Sequence, residues 1–240
     1  MTSRSELAGG SAVVTGASRG IGLAVAQAFV TLGLRVALVA RSADALGQRA
    51  AALGSGAMAF PCDLTSVSSV ELAVSNIRAA FGIPDILVSC AGIFPLASVA
   101  QTSGDEFALA MQTNLVGPFR LLHAFAPAMR ERGRGHIVTV GSVADRTAYP
   151  ENAAYAASKF GARAVHEVLR EELRGSGVRT TLVSPGPVNT SIWDAIDPDH
   201  RPGFPSRSAM LVPQDVSDAV VWAVTRPAHV NVDELRLTRA

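Results

Sequence analysis

Short runs of small aliphatic residues alternate along the chain with longer, helix-like stretches that mix polar and apolar positions. The strand-length runs are Ala12–Thr15, Arg35–Ala40, Ala57–Pro61, Ile86–Ser89, His136–Gly141, Arg179–Ser184 and Glu234–Leu237. Between them lie Ile21–Leu32, Ala43–Leu53, Ser66–Phe81, Ser103–Arg132, Asn152–Gly175 and Pro213–Thr225, each long enough for a crossover helix. Strands alternating with helices predict a parallel sheet. The expected fold is therefore α/β, a doubly wound, Rossmann-like parallel sheet of seven strands with helices on both faces. It would form a single domain over residues 11–240, behind a flexible N-terminal segment 1–10. The pattern lapses between Pro187 and Met210, where Pro198, Pro202, Gly203 and Pro205 crowd together. A long loop in a compact domain is usually functional or mobile.

At 240 residues the chain can bury a sizeable core. Its hydrophobic share of 48%, with only 5% aromatic, suits aliphatic strands covered on both faces. A net charge of +1 gives no general attraction to nucleic acid or acidic membranes. Apolar stretches such as 21–40 are broken by Gly33 and Arg35, so no membrane span is expected. Met1–Gly10 is polar, without the apolar core of a signal peptide. Cys62 and Cys90 make neither a metal spacing nor a disulfide framework, which favours a reducing, cytoplasmic setting. The five histidines are scattered, so no metal is expected and zinc-dependent alcohol oxidation is disfavoured.

Chemistry enters at Thr15-Gly16-Ala17-Ser18-Arg19-Gly20-Ile21-Gly22, between the first strand and the first helix. Glycines let backbone approach a ligand closely. The helix start offers free N–H groups and a positive dipole end to phosphate. The spacing is G-x-x-x-G-x-G, not the commoner G-x-G-x-x-G. Ligands on doubly wound sheets bind beyond the carboxyl ends of the strands. The glycine turn, Asp63, Gly92, Ser142 and Pro185-Gly186 all follow expected strand ends. Tyr155 and Lys159 are four apart on an expected helix, so they leave one face a turn apart. Hydride reduction of a carbonyl leaves negative charge on oxygen, so a nearby acid must deliver a proton. Tyrosine ordinarily ionises near pH 10, and a neighbouring ammonium favours the phenolate.

Taken together, the glycine turn, Ser142 and the Y-x-x-x-K of Tyr155 and Lys159 resemble the short-chain dehydrogenase/reductase family, in its compact single-domain form. The resemblance runs from about Ser11 to the C-terminus. It implies Tyr155 as general acid in reduction and general base in oxidation, with Lys159 favouring its phenolate and binding the nicotinamide ribose. Ser142 would stabilise charge on the substrate oxygen. Asn114 matches the position supporting a water-mediated relay to the lysine, although a helical Asn also reads as a satisfied core amide. The segment 187–210 resembles the family's substrate-covering segment.

For the cofactor, Gly16, Ser18, Arg19, Gly20, Ile21 and Gly22 would hold the pyrophosphate. NAD selectivity typically uses a carboxylate at the end of the second strand. Here that strand ends in Arg41-Ser42, and Arg19 approaches from the glycine turn. Either arginine alone reads as a surface residue; the pair without the acid points to NADP(H), since Arg matches phosphate as a charged fork. Asp63, followed by Leu64, matches the adenine-contacting position, or is a turn aspartate. Ser89-Cys90-Ala91-Gly92 replaces the family's Asn-Asn-Ala-Gly, with Ala91 and Gly92 keeping the close backbone approach. Pro185, Gly186, Val188 and Thr190 would meet the nicotinamide.

Expected walls of a small-molecule pocket are Ile93, Phe94, Val143, Tyr149, Trp193 and Arg146, the last also reading as a solvated loop residue. The favoured activity is a carbonyl reductase or alcohol dehydrogenase. A 3-oxoacyl thioester reductase is the alternative, with Arg130, Arg132 and Arg134 as its candidate carrier-protein patch. A non-catalytic cofactor-binding scaffold is a third. By analogy with the family, Ser103–Arg132 and Asn152–Gly175 would pair across a homodimer or homotetramer.

Overall fold

The computed structural model describes residues 7–240; residues 1–6, most of the expected flexible segment, lie outside the described residues. The rest of that segment is pinned by Gly9 N donating to Gly33 O and Arg35 N donating to Gly10 O. The strands are β1 (Ser11–Thr15), β2 (Arg35–Ala40), β3 (Ala57–Pro61), β4 (Ile86–Ser89), β5 (Gly135–Val140), β6 (Val178–Pro185) and β7 (Glu234–Leu237). All pair in parallel, in the order β3-β2-β1-β4-β5-β6-β7. The helices are α1 (Gly20–Thr31), α2 (Ala43–Leu53), α3 (Val67–Phe81), α4 (Gly104–Met111), α5 (Gly117–Arg132), α6 (Ala153–Glu172) and α7 (Pro213–Val224).

Side chains alternate across a strand, and here both sides are dry. Val14, Leu38, Val88, Val138 and Val183 pack with Val25 and Phe29 of α1 and Val216 and Val220 of α7. Val13, Val39, Leu87 and Ile137 pack with Ile77 of α3 and Leu121 and Phe125 of α5 on the other face. That is why the strands read as near-continuous apolar runs. Ser42 and Ser66 start α2 and α3 by accepting from Ala45 N and Ser69 N, and Ser103 with Glu106 forms a capping box on α4.

Two histidines are buried against this sheet, His136 in β5 and His166 on α6. His136 Nε2 lies 2.8 Å from Thr181 Oγ1, and His166 Nδ1 lies 2.9 Å from Thr139 Oγ1. Burial, with Arg179 and His166 adding to it, pushes His136 down to about 3. Burial and then Arg170 push His166 down to about 4.

One expected helix is different. The stretch 103–132 does not run as a single α-helix but opens into a π-turn at Gln112–Val116. An α-helix through this point would pair the Asn114 carbonyl with the amide hydrogen of residue 118, and Pro118 has none. The loop 187–210 is also more ordered than its composition suggests. Asn189 N donates to Leu211 O and Leu211 N to Pro187 O, closing its base, and short 3-10 turns form at Ser191–Trp193 and Arg207–Ala209. No helix among the described residues is long and apolar enough to cross a membrane.

Candidate active site

The strand order reverses its winding between β1 and β4, and the crevice that opens at their carboxyl ends is where an open α/β sheet binds ligands. Gly16 (φ +69°) and Gly20 (φ +58°) take the left-handed backbone that glycine adopts without strain. Gly22 is required for space: a Cβ there would stand 2.5 Å from the Gly16 carbonyl oxygen. The turn delivers the chain into α1 with no side-chain cap and no acid in the first turn, so its leading amides remain available to an anion.

This cradle forms one wall of a cleft of about 550 Å³. Every residue expected to hold the adenine half and pyrophosphate lines it: Gly16, Ser18, Arg19, Gly20, Ile21, Gly22, Arg41, Ser42, Asp63, Leu64, Ala91 and Gly92. Asp63 also serves its turn, accepting from Thr65 N (2.9 Å) and Thr65 Oγ1 (2.8 Å). Those bonds, and Arg41 nearby, hold its carboxyl below the usual aspartate range. Arg49, not anticipated from sequence, also lines the cleft, its Nε donating to Ser18 O at 3.3 Å. The available signal was spacing: Arg41, Ala45 and Arg49 follow one another at helical intervals of four, and all three line the cleft.

Thr15, at the end of β1, was also missed. Its Oγ1 accepts from both Cys90 N (2.9 Å) and Ala91 N (3.0 Å), tying the β4 loop to the glycine turn. The Ser89-Cys90 pair contributes little to that tie. Ser89 Oγ is buried with no partner in the structure. Burial pushes the Cys90 thiol up to about 12 despite the Lys159 charge, so it stays a protonated packing residue.

A second cavity, of about 470 Å³, adjoins the first, with Ile21, Cys90, Gly92, Thr190 and Ile192 on both walls. Ser142, Tyr155 and Lys159 line it together, as do Pro185, Gly186, Val188 and Thr190. The Lys159 ammonium lies 5.6 Å from the centre of the Tyr155 ring and donates to Val140 O at 2.9 Å. Phe94 meets the Tyr155 ring edge-on at 4.7 Å.

Asn114 lies outside both cavities, buried behind Lys159 at the π-turn. Its amide is fully used. Oδ1 accepts from Ile93 N (2.8 Å), and Nδ2 donates to Ile93 O (2.9 Å) and Ser158 Oγ (3.0 Å). The side chain therefore joins the loop after β4 to α6, which carries Tyr155 and Lys159.

Ser142 is held from behind by a buried carboxylate. Its Oγ accepts from Ala144 N at 3.1 Å, and Asp145 N donates to Ser142 O at 3.0 Å. Asp145 Oδ2 accepts from Ser184 Oγ, and Oδ1 meets Arg146 Nε at 2.7 Å and Arg163 at 3.8 Å. The sequence signal was Ser142-x-x-Asp145, a capping-box spacing.

Three expectations need correction. Arg146 is no pocket wall: its guanidinium turns to Asp145 and to Glu234 of β7 rather than to a substrate. Ile93 lines the glycine-turn cleft rather than the second cavity. Arg130, Arg132 and Arg134 lie at the end of α5 and before β5, at the amino-terminal end of the strands, opposite the end where the site opens. There Arg132 donates to Ile83 O and Pro84 O and pairs with Asp85 at 3.2 Å. Phe94, Val143, Tyr149 and Trp193 do line the second cavity.

The geometry has clear counterparts among known proteins. A family model of short chain dehydrogenases matches residues 11–201. The glycine betaine reductase of Emericella nidulans is 37% identical over 238 residues, covering 97% of this chain and 19% of that much longer protein. An uncharacterized oxidoreductase of Staphylococcus haemolyticus is 33% identical over 231 residues, 96% of this chain and 97% of that one. An alcohol dehydrogenase from the archaeon Thermococcus sibiricus, solved in complex with 5-hydroxy-NADP, superposes with a TM-score of 0.87 at 31% identity, covering 96% and 97% of the two chains.

Proposed function

Because the chain belongs to the short-chain dehydrogenase/reductase family of oxidoreductases, we propose that it transfers a hydride between NADP(H) and a carbonyl or secondary alcohol. The observation that carries this is the convergence of Ser142, Tyr155 and Lys159 on a cavity continuous with the glycine cradle. The cradle suits a dinucleotide: uncapped helix amides for the pyrophosphate, glycines whose Cβ atoms would strike the Gly16 and Ala91 backbone and so distort the turn, and Asp63 in the same wall. Arg19 and Arg41, with no carboxylate at the end of β2, favour a 2′-phosphate. The T. sibiricus alcohol dehydrogenase, crystallised with an NADP derivative, supports that preference.

The dinucleotide, when bound, supplies or accepts the hydride. The chain supplies the proton and the orientation. Tyr155 Oη donates a proton to the developing alkoxide in reduction and takes it back in oxidation. The Lys159 ammonium, 5.6 Å from the centre of the Tyr155 ring, would bind the nicotinamide ribose and is anchored by the Val140 carbonyl. Ser142 Oγ hydrogen-bonds the substrate oxygen. Asn114, in this reading, positions α6 rather than touching substrate. The carrier-dependent thioester alternative is less supported, since Arg132 and Arg134 lie at the amino ends of the strands and pair there with Asp85.

Phe119 of α5 and Phe160 and Val168 of α6 are exposed. We read these helices as the homo-oligomer face, checked by light scattering on the eluting protein.

The direct test of the catalytic reading is Tyr155→Phe. NADPH-dependent reduction is expected to fall ~10²–10⁴-fold, with NADPH affinity by fluorescence titration essentially unchanged. Parallel loss of binding and turnover would overturn the assignment of Tyr155.

A further inference from the structure

We propose that the substrate is an uncharged ketone or secondary alcohol bearing an aromatic or similarly bulky hydrocarbon group, and that the site rejects carboxylates and phosphates. This rests on the hydride-transfer reading above and narrows its substrate class.

The first support is the wall. From the Tyr155 ring a chain of edge-on aromatic contacts runs outward: Phe94 at 4.7 Å, then Trp193 at 5.1 Å from Phe94, then Phe204 at 5.9 Å from Trp193. Leu96 and Val143 fill the gaps. Trp193 is buried and fixed by its indole N–H donating to Val188 O at 3.0 Å. Rings prefer such edge-to-face neighbours, so a substrate aryl group inserted beside Phe94 extends a pattern already built.

The second support is where the charges go. Among the described residues lining this cavity, the only charged side chains are Lys159 and Glu151. Among the described residues, three arginines around this cavity are committed elsewhere. Arg146 is held by Asp145 and Glu234. Arg201 pairs with Glu151 at 2.7 Å and lies over the Phe204 ring at 5.3 Å. Arg207 donates to Asn189 and Thr190 and pairs with Asp194 at 2.8 Å. Among the described residues around this cavity an anionic substrate would find no guanidinium without a carboxylate or carbonyl partner, and its charge would lie unpaired against the ring wall.

The test uses matched probes with NADPH: acetophenone, acetylbenzoate, acetylphenyl phosphate and butanone. The expected kcat/KM for acetophenone exceeds that for either anion by ~100-fold and that for butanone by ~10-fold. Equal or better turnover of an anion would overturn the inference while leaving the hydride-transfer reading intact. A second measurement is independent of turnover. Trp222 lies outside the cavity on α7, so in a Trp222→Phe background the remaining indole, Trp193, reports on the site. Phenylethanol with NADP is expected to change its fluorescence saturably, and the carboxylated analogue is not. That signal without turnover would support the substrate class and overturn the hydride-transfer reading. No signal from phenylethanol, or an equal one from its carboxylate, would overturn the class.

Discussion

Lowering the pH from 7 to 5 is expected to destabilise this fold through His136 and His166. Both are ordinary histidines when unfolded, titrating near 6.5, but in the fold burial holds them down to about 3 and about 4. Between pH 6.5 and the lower values, the unfolded chain binds protons that the native protein does not. Stability from these groups is therefore complete above pH 6.5 and lost as the pH falls. At pH 5 both stay neutral in the native state, while each unfolded imidazole is protonated. The cost is about 1.36 kcal/mol per pH unit over roughly 1.5 units, or about 2 kcal/mol for each histidine and ~4 kcal/mol for the pair. A domain of this size loses roughly 2–4 °C in melting temperature per kcal/mol, so a drop of roughly 8–16 °C is expected. Urea unfolding at pH 7 and pH 5, which stays above the ordinary carboxylate range, measures it. His166→Gln, which keeps a polar group near Thr139, should remove about half of the slope relative to the parent. A stability that does not change between pH 6.5 and 5, or a slope indifferent to both His136→Gln and His166→Gln, would refute the reasoning.

Three other perturbations probe the site. Arg41→Asp should move the NADPH-over-NADH ratio of kcat/KM toward NADH by about tenfold, the scale of one charged hydrogen bond; an unchanged ratio removes Arg41 from phosphate recognition. Asp145→Ala withdraws the buried carboxylate shared by Ser184, Arg146 and Arg163, at a cost of about 3 kcal/mol in urea unfolding; a loss under ~1 kcal/mol would show that the network is marginal. Gly22→Ala forces a methyl group to within 2.5 Å of the Gly16 carbonyl and should abolish NADPH-induced thermal stabilisation; a normal shift on NADPH addition would contradict the packing argument.

The strands were readable because both faces of the sheet are dry, so runs such as Val36–Val39 carry no polar interruption. The glycine turn and the Tyr155–Lys159 pair were readable because their chemistry is local: a turn, and one helix face. What resisted reading depends on distant contacts. Arg146 looks like a loop arginine until β7 places Glu234 beside it. The amide of Asn114 finds its partners at Ile93 and Ser158, on two other segments. Arg132 and Arg134 sit in a basic run, yet Asp85, just before β4, draws both toward the amino ends of the strands. The π-turn had a local cause in Pro118, but Pro127 shows that proline inside α5 does not always break the helix.

The segment 187–210 has a consequence for how this protein can change over generations. Its two ends meet through the Asn189–Leu211 and Leu211–Pro187 backbone bonds, and it is tied down by residues of its own and of the tail: Arg207 to Asp194, and Arg239 to Ser208 O and Met210 O. A loop whose ends are already joined pays little for altered length, about 0.6 kcal/mol for each doubling. Insertions and deletions there leave the sheet, the glycine cradle and the Tyr155–Lys159 helix undisturbed. The residues of this segment that line the second cavity are thus free to drift and be tried anew, while Tyr155 and Lys159 on α6 stay under the discipline of the core.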